Sequence, residues 1–199
     1  FNPIILGPWF VFMKSSKLSI FKFFYCFLLY GFIQTGVIFA ELNSQSLIEN
    51  RLNSIFSKKT ESIDLAKTLI LISKDWNPSL EEKPLQDKID QLVASVKNQL
   101  KLESTSQETV NILRRVIHHE NGYRYTDQVN NQGIPINPDE LFLHGMLKSK
   151  NGYCMNLSLL YLIIGDQLNL PLYGVGLPNH FFVRYDSGSN KINIETTES

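Results

Sequence analysis

The stretch from Tyr153 to Leu168 constrains the fold more than any other part of the chain. Its sequence, YCMNLSLLYLIIGDQL, is apolar nearly all the way around a helix. Asn151-Gly152 before it and Pro171 after it break the chain. A helix that is apolar on every side is stable in water only when other elements cover it. We therefore predict an almost fully buried helix here, with Cys154 at its start.

Three short runs after this helix have the composition of β-strands. They are rich in β-branched and aromatic residues, and they read LYGVGL (172–177), HFFVRYD (180–186) and KINIETT (191–197). The segment SGSN (187–190) separates the last two runs and is typical of a hairpin loop. Pro178-Asn179 forms a turn before the second run, which predicts that His180 lies at the start of a strand.

The chain from about residue 42 to residue 119 has a helical pattern. LNSQSLIENRLNSIF, SIDLAKTLILIS and LQDKIDQLVASVKNQL each space their apolar residues near the helical period. The segment from Ser104 to Glu108 looks like a helix cap. We interpret residues 41–103 as a helical region that packs on the rest of the fold and carries no chemistry. From His118 to about Pro138, Gly, Asn, Asp and Pro indicate a long ordered loop, followed by a short helix to about Leu147.

The N-terminus has the order of a secretory signal peptide. Lys14, Lys17 and Lys22 precede an apolar run from Phe23 to Phe39, and the small Ala40 comes before a polar stretch. We interpret residues 1–40 as an export signal, with residues 1–12 an over-extended start before Met13. The alternative is an uncleaved membrane anchor, because the apolar run approaches the roughly 20 residues that span a bilayer. Either way, the chain is expected to be secreted, periplasmic or in the cell envelope.

Charge and cysteine content narrow the possible functions. The chain has 19 basic and 19 acidic residues, so no basic excess points to nucleic acid as a partner. Removal of residues 1–40 also removes Cys26, which leaves Cys154 as the single cysteine of the mature chain. An intramolecular disulfide is then impossible. A lone thiol in an oxidising compartment is either buried and inert or used in chemistry.

Cys154, His180 and Glu195 form the strongest candidate site. Backbone N–H groups at a helix start favour an anion, so a thiol at Cys154 is expected to have a lowered pKa. His180 opens a strand, and Glu195, expected on the next strand, can hold the other imidazole nitrogen. Each residue also has a structural alternative: Cys154 as a buried inert cysteine, His180 as a satisfied half-buried histidine, and Glu195 as a solvated strand acid.

Other polar residues give weaker indications. His118 and His119 are adjacent and diverge on a helix, and the chain has no HExxH motif or cysteine pair, so we expect no metal and no cofactor. His144 is interpreted as a surface or interhelical histidine. Tyr123, Tyr125 and Asn151 could line a cleft or help to form an oxyanion hole. Arg184 could contact a substrate carboxylate or equally pair with Asp186 or Glu195.

The segment FLHGMLKSKNGYCMNLSLLYLIIGDQLNLPLYGVGLPNHFFVRYDSGSNKINIETT resembles the transglutaminase-like superfamily, and in particular its bacterial branch. The shared pattern is a basic-flanked glycine turn, a cysteine helix ending in Leu-Pro, and then GVGLPNHF. The resemblance reaches back to about Ser104, so we take residues 104–199 as the core domain. It implies an α+β, papain-like core in which the cysteine helix packs on an antiparallel sheet, preceded by the helical N-terminal layer.

The same resemblance implies roles for the candidate residues. Cys154 matches the nucleophile, His180 the general base and Glu195 the acidic third member, for attack on amide bonds of protein or peptide substrates through a thioester. Hydrolysis and acyl transfer both remain open, as does a catalytically silent interaction module of the cell envelope. Glu195 departs from the commoner Asp. The chain stops four residues after Glu195, where related domains usually continue, so truncation of the domain is a further alternative.

Overall fold

The computed structural model describes residues 63–131 and 135–198. The predicted export signal and the first predicted helix lie outside the described residues. The elements in chain order are α1 (Leu65–Trp76), α2 (Glu82–Gln99), α3 (Ser106–Arg114), a π-helical turn (Arg115–Glu120), β1 (Arg124–Tyr125), a 3₁₀ turn (Pro138–Leu141), α4 (Leu143–Ser149), β2 (Asn151–Gly152), α5 (Cys154–Gln167), β3 (Leu172–Leu177), β4 (His180–Asp186) and β5 (Lys191–Ile194).

Helix α5 lies at the centre of the fold, as its composition predicts. Every residue from Met155 to Gly165 is buried. One side of α5 packs on β3 and β4, and α1, α2 and α4 contact its other sides. This enclosure explains why the helix needs no polar face: almost no part of its surface meets water.

The sheet beside α5 is an antiparallel meander with the order β3-β4-β5. The β3–β4 hairpin turns at Pro178 and Asn179, and Asn179 adopts a left-handed φ of 60°, which asparagine tolerates better than most residues. His180 is the first residue of β4 and pairs with Leu177. Helices and an antiparallel sheet thus form the expected α+β fold, with the cysteine helix packed on the sheet.

Some boundaries differ from the sequence-based expectation. The short helix expected from Pro138 to about Leu147 is instead a 3₁₀ turn (Pro138–Leu141) followed by α4 (Leu143–Ser149). Strand β5 ends at Ile194, so Glu195 follows the strand instead of lying within it. The long loop begins after Glu120, because α3 continues without a break into the π-helical turn that contains His118. The wider π-helical spacing lets apolar Val116 and Ile117 remain in the core, so the helix extends further than the polar sequence suggested.

The helical layer follows its predicted pattern closely. In α2 the predicted apolar face is buried, with Ile89 and Val96 fully inaccessible. Helix α3 begins at the expected cap: the Thr105 hydroxyl accepts the N–H of Glu108, and the Glu108 carboxylate accepts the N–H of Thr105 in return. Helix α1 is capped by Asp64, which accepts the N–H of Lys67 at 2.9 Å. Within the described ranges, no helix is both long and apolar enough to cross a bilayer.

Candidate active site

Cys154 is the first residue of α5, and its thiol faces the sheet. Tyr153 is the N-cap residue, and its extended backbone turns the chain from β2 into the helix. Backbone N–H groups close to the half-buried Cys154 sulfur, those of Phe181 in β4 and Met155 in its own helix, lower the pKa of the thiol against the effect of burial. Because Phe181 directly follows His180, this contact brings the helix start against the beginning of the histidine strand.

His180 and Glu195 are joined by a short hydrogen bond. Nε2 of the imidazole lies 2.6 Å from Oε2 of the carboxylate, and both side chains are about two-thirds buried, with 33% and 29% of their surface exposed. An ionised carboxylate only accepts hydrogen bonds, so the imidazole carries its proton on Nε2. Nδ1 is then the nitrogen that can accept a proton from a nucleophile.

The three predicted site residues therefore lie together, on three different segments. Cys154 opens α5, His180 opens β4, and Glu195 directly follows β5. The β4–β5 pairing places Val183 opposite Ile194, and this register lets the residue after Ile194 reach back along the sheet to His180. The glutamate side chain reaches the imidazole from this position, although β5 ends one residue earlier.

The expectation of a lowered thiol pKa is wrong for the structure as it stands. Burial raises the pKa of the Cys154 thiol above its usual value, and the nearby charge of Glu195 raises it further. The backbone N–H groups of Phe181, Met155 and Cys154 oppose this effect without overcoming it. The resting cysteine is therefore a neutral thiol, and a base must remove its proton before it becomes a strong nucleophile.

The Glu195 carboxyl is shifted in the opposite direction. Burial alone would raise its pKa, but hydrogen bonds from Thr197 and His180 outweigh that effect and hold the pKa below its ordinary value. The carboxylate is thus negatively charged at neutral pH, which is the state needed to orient an imidazole and to stabilise its protonated form.

Two tyrosines lie on the segments next to Cys154. Tyr125, at the end of β1, is 41% exposed and lies near enough to Cys154 for a thiolate there to raise the tyrosine pKa, in addition to the larger effect of burial. The Tyr153 hydroxyl donates to the carbonyl oxygen of Gln128 at 2.9 Å and so ties the loop after β1 to the cysteine turn. Tyr125 therefore lies near Cys154, and its role in lining a substrate cleft stays a prediction.

The other predicted cleft and substrate residues have hydrogen-bond partners other than Cys154. Tyr123 is buried, and its hydroxyl accepts a hydrogen bond from Lys150 at 3.0 Å. Asn151 accepts from Arg124, and Arg184 donates to Asn193, its neighbour across β4 and β5. Arg124 and Asn151 are partners in the short parallel pair β1–β2, and Arg184 and Asn193 are partners in β4–β5.

His118 and His144 are buried within the fold, whereas His119 is exposed. His118 is buried and holds the carbonyl oxygen of Tyr123 through Nδ1 at 2.7 Å, while His119 is exposed on the same turn. His144 is 5% exposed, with Nε2 at 3.7 Å from the Asp139 carboxylate. Burial lowers the pKa of both His118 and His144. Among the described residues, no group of three His, Cys, Asp or Glu side chains is arranged to hold a metal ion.

Sequence reasoning missed two kinds of contact at the site. The Phe181 backbone N–H at the sulfur has no side-chain signal, because any residue supplies the same donor. Thr197 donates to Glu195 Oε1 from its hydroxyl at 2.7 Å and from its N–H at 3.2 Å. The only sequence signal for this contact is the i, i+2 spacing of a carboxylate and a threonine, which is common in turns.

An α+β core in which a helix that begins with a cysteine packs on an antiparallel sheet, with a histidine at the start of one strand and an acid just after the next, is the arrangement of papain-like cysteine folds. Within that class, the chain belongs to the transglutaminase-like superfamily, whose family model matches residues 83–198. The match begins inside α2, so it includes part of the helical layer as well as the site.

Similarity to individual curated proteins is weaker. The chain is 26% identical to the F-box only protein 21 of Pongo abelii over 169 residues, which cover 76% of this chain and 27% of that protein. It is 23% identical to a UPF0162 protein of Xylella fastidiosa strain 9a5c over 132 residues, which cover 66% of this chain and 45% of that protein. The chain therefore spans less than half the length of these relatives. No solved structure matches it significantly.

Proposed function

We propose that this protein is a cysteine-dependent enzyme that acts on amide bonds, with Cys154 as nucleophile, His180 as general base and Glu195 as the orienting acid. The observation that carries the proposal is the 2.6 Å contact between His180 Nε2 and Glu195, together with a thiol held against the backbone of the next residue, Phe181. A fixed tautomer with Nδ1 available is what a general base beside a thiol requires.

The reaction proceeds in two halves. The Cys154 sulfur attacks the amide carbonyl carbon while its proton passes to His180 Nδ1, and Glu195 stabilises the imidazolium. Backbone N–H groups at the start of α5 are placed to receive the oxyanion of the tetrahedral intermediate. When that intermediate collapses, the C–N bond breaks and the leaving amine takes the proton from Nδ1. Water or a second amine then cleaves the thioester and regenerates the thiol.

The raised thiol pKa fits a mechanism in which the base acts during the reaction. Even an ordinary cysteine is only a few per cent thiolate at pH 7, and a buried thiol with a raised pKa contains less. Reactivity of Cys154 must then depend strongly on His180. The enzyme would gain its nucleophile only when substrate and base are both in place.

The proposed substrates are proteins or peptides, including those of the cell envelope. Support for this location comes from the sequence, in which a lysine-containing segment precedes the apolar run from Phe23 to Phe39. We propose export on that basis, with contact to a membrane only through an uncleaved N-terminal segment. Hydrolysis and acyl transfer share every step up to the thioester, so the site geometry is compatible with either.

A catalytically silent interaction module is the alternative function. The observation that favours it is the same burial that raises the thiol pKa, because a buried neutral cysteine is also what an inert site would contain. The two functions differ in one testable property, which is whether His180 controls the chemistry of Cys154.

Alkylation of the 199-residue chain with iodoacetamide tests the proposal. Modification of Cys154 is followed by peptide mass spectrometry between pH 5 and 9, which separates it from Cys26. We expect His180→Ala to slow the reaction at pH 7 by about tenfold or more, since it removes the group that draws off the proton. The matched control is His119→Ala, which removes an exposed histidine distant in sequence from the site. Equal rates in wild type and His180→Ala would support the silent module.

A second assay separates the two reaction outcomes. The chain is incubated with a glutamine-containing peptide and methylamine, with Cys154→Ala as the blank. Hydrolysis leaves a glutamate and free ammonia, whereas transfer leaves an N-methyl amide, and mass spectrometry of the peptide distinguishes them.

A further inference from the structure

The carboxylate of Glu195 is held at both of its oxygens. Oε2 accepts from His180 at 2.6 Å, and Oε1 accepts from the Thr197 hydroxyl at 2.7 Å and from the Thr197 N–H at 3.2 Å. The plane of the carboxylate is thereby fixed between two partners. A glutamate held at one oxygen alone could rotate about its side-chain bonds and leave the imidazole.

The backbone that carries Glu195 needs support that the sheet does not provide. Strand β5 ends at Ile194, so residues 195–197 lie beyond the ladder of hydrogen bonds with β4. A segment without such a ladder has more conformational freedom, and holding it in place has an entropic cost. Some other contact must therefore fix the position of residues 195–197.

Thr196 supplies that contact on the opposite side of the segment. Its Oγ1 lies 2.9 Å from the hydroxyl of Ser158, and both residues are completely buried. Ser158 is four residues after Cys154, one turn further along α5. Its hydroxyl also lies 3.3 Å from the carbonyl oxygen of Phe181, the residue whose N–H meets the Cys154 sulfur. One buried hydroxyl pair thus links the nucleophile helix, the histidine strand and the acid segment.

We propose that Thr197 is a positioning residue that sets the Glu195 carboxylate for His180, and that the Ser158–Thr196 pair anchors the segment on which it acts. Thr197 works through Glu195 and touches no reacting atom. The inference rests on the proposed function, because it gives the acid an orienting role toward the base.

The test compares three threonine variants in the 199-residue chain. Thr197→Val removes the hydroxyl and keeps the shape and the backbone N–H, whereas Thr197→Ser keeps the hydroxyl. The control is Thr109→Val, which removes a buried threonine hydroxyl that bonds the Thr105 carbonyl at 3.0 Å in the helical layer. Iodoacetamide modification of Cys154 is measured against pH for each variant, with circular dichroism to verify folding.

We expect Thr197→Val to slow Cys154 alkylation at pH 7 by about tenfold, as the loss of one hydrogen bond to a charged acceptor implies. The hydroxyl of Thr197 also helps to keep the Glu195 carboxyl ionised. Its loss in Thr197→Val should therefore move the acid limb of the pH–rate profile to higher pH. Thr197→Ser should restore both properties, and Thr109→Val should leave both unchanged. Circular dichroism of each variant distinguishes this effect from a loss of structure.

The outcomes separate this inference from the proposed function. If His180→Ala slows alkylation while Thr197→Val retains the wild-type rate and acid limb, the positioning role is wrong and the function stands. If His180→Ala has no effect, both are wrong. If Thr197→Val fails to fold, Thr197→Ala replaces it. One-dimensional NMR of the His180 Nε2 proton in the wild-type chain independently measures how firmly the Glu195 carboxylate holds the imidazole. A proton that exchanges as fast as in a free imidazole would overturn the proposal.

Discussion

Polar contacts of different kinds occur in the helical layer and in the α5–sheet core. Many contacts in the layer join exposed residues that are close in sequence: Lys83 and Asp87 pair across one turn at 2.9 Å, and Thr105 and Glu108 cap a helix from three residues apart. The core contains a completely buried pair of distant residues, Ser158 and Thr196, which are 38 residues apart. The cap and the turn pair each form within one helix, whereas the Ser158–Thr196 pair forms only when α5 and the segment after β5 meet.

This difference explains why the two regions have different uses. A local, exposed contact contributes a few tenths of a kcal/mol to about 1 kcal/mol, and its loss is felt nearby. A buried contact between distant segments fixes their relative positions, and an active site needs that precision. The layer covers α5 with apolar side chains, and the core arranges the thiol, the imidazole and the carboxylate.

The largest loss of stability is expected when core packing is removed directly. Leu160 in α5 is fully buried, and Leu160→Ala should lower the free energy of unfolding by about 2–5 kcal/mol through lost burial and a cavity. Leu102→Ala is the matched control, because Leu102 is fully exposed. Urea denaturation measures both changes, and we expect the control to stay within about 0.5 kcal/mol of wild type.

A comparable loss for Leu102→Ala would mean that the stability difference does not follow burial. A loss well below 2 kcal/mol for Leu160→Ala would mean that the core around α5 can close over the missing side chain.

A smaller effect is expected when the helical layer loses a cap. Thr105→Ala removes the hydroxyl that accepts the Glu108 N–H at 3.2 Å, and it should cost about 1 kcal/mol of stability. Because this contact is local to α3, the alkylation rate of Cys154 should not change. Urea denaturation and iodoacetamide modification of the same sample measure both properties. A slower Cys154 reaction in this folded variant would show that the layer is coupled to the site.

How much the sequence could predict follows the same division. The α2 face and the Thr105 cap depend on spacings of three and four residues, so periodicity was sufficient to find them. The burial of α5 and the grouping of Cys154, His180 and Glu195 were also predicted, the first from composition and the second largely from family resemblance. The end of β5 at Ile194 and the Ser158–Thr196 contact depend on how distant segments meet, and no local pattern encodes that.

The pKa of the Cys154 thiol also depends on contacts between distant segments, which a local pattern does not reveal. Position at a helix start predicted a lowered pKa, because that effect is local to the helix. Burial of the thiol, which periodicity does not reveal, raises the pKa, and this effect is larger than the lowering by the backbone N–H groups. Sequence reasoning located Cys154 at a helix start but predicted the wrong direction for its pKa shift.

The smallest expected effect compares two glutamates, one from each region. Hydrogen bonds from Thr105 lower the pKa of Glu108, and those from Thr197 and His180 lower the pKa of Glu195 against the effect of burial. A carboxyl with a lowered pKa in the folded state contributes stability above its unfolded pKa of about 4.3, and this contribution is lost as the pH falls through the folded value. Wild type should therefore be more stable than Glu108→Gln or Glu195→Gln at pH 7, and each difference should shrink below about pH 4.3.

Salt should separate the two glutamates, because Glu108 is exposed and Glu195 is partly shielded. Screening acts over about 10 Å at 0.1 M ionic strength and weakens exposed charges more than buried ones. Both variants and the wild type are denatured at low and high sodium chloride. High salt should reduce the stability difference between wild type and Glu108→Gln and leave most of the difference between wild type and Glu195→Gln. Equal salt sensitivity would place Glu195 in a solvated environment, which would also weaken its assignment as the acid that orients His180.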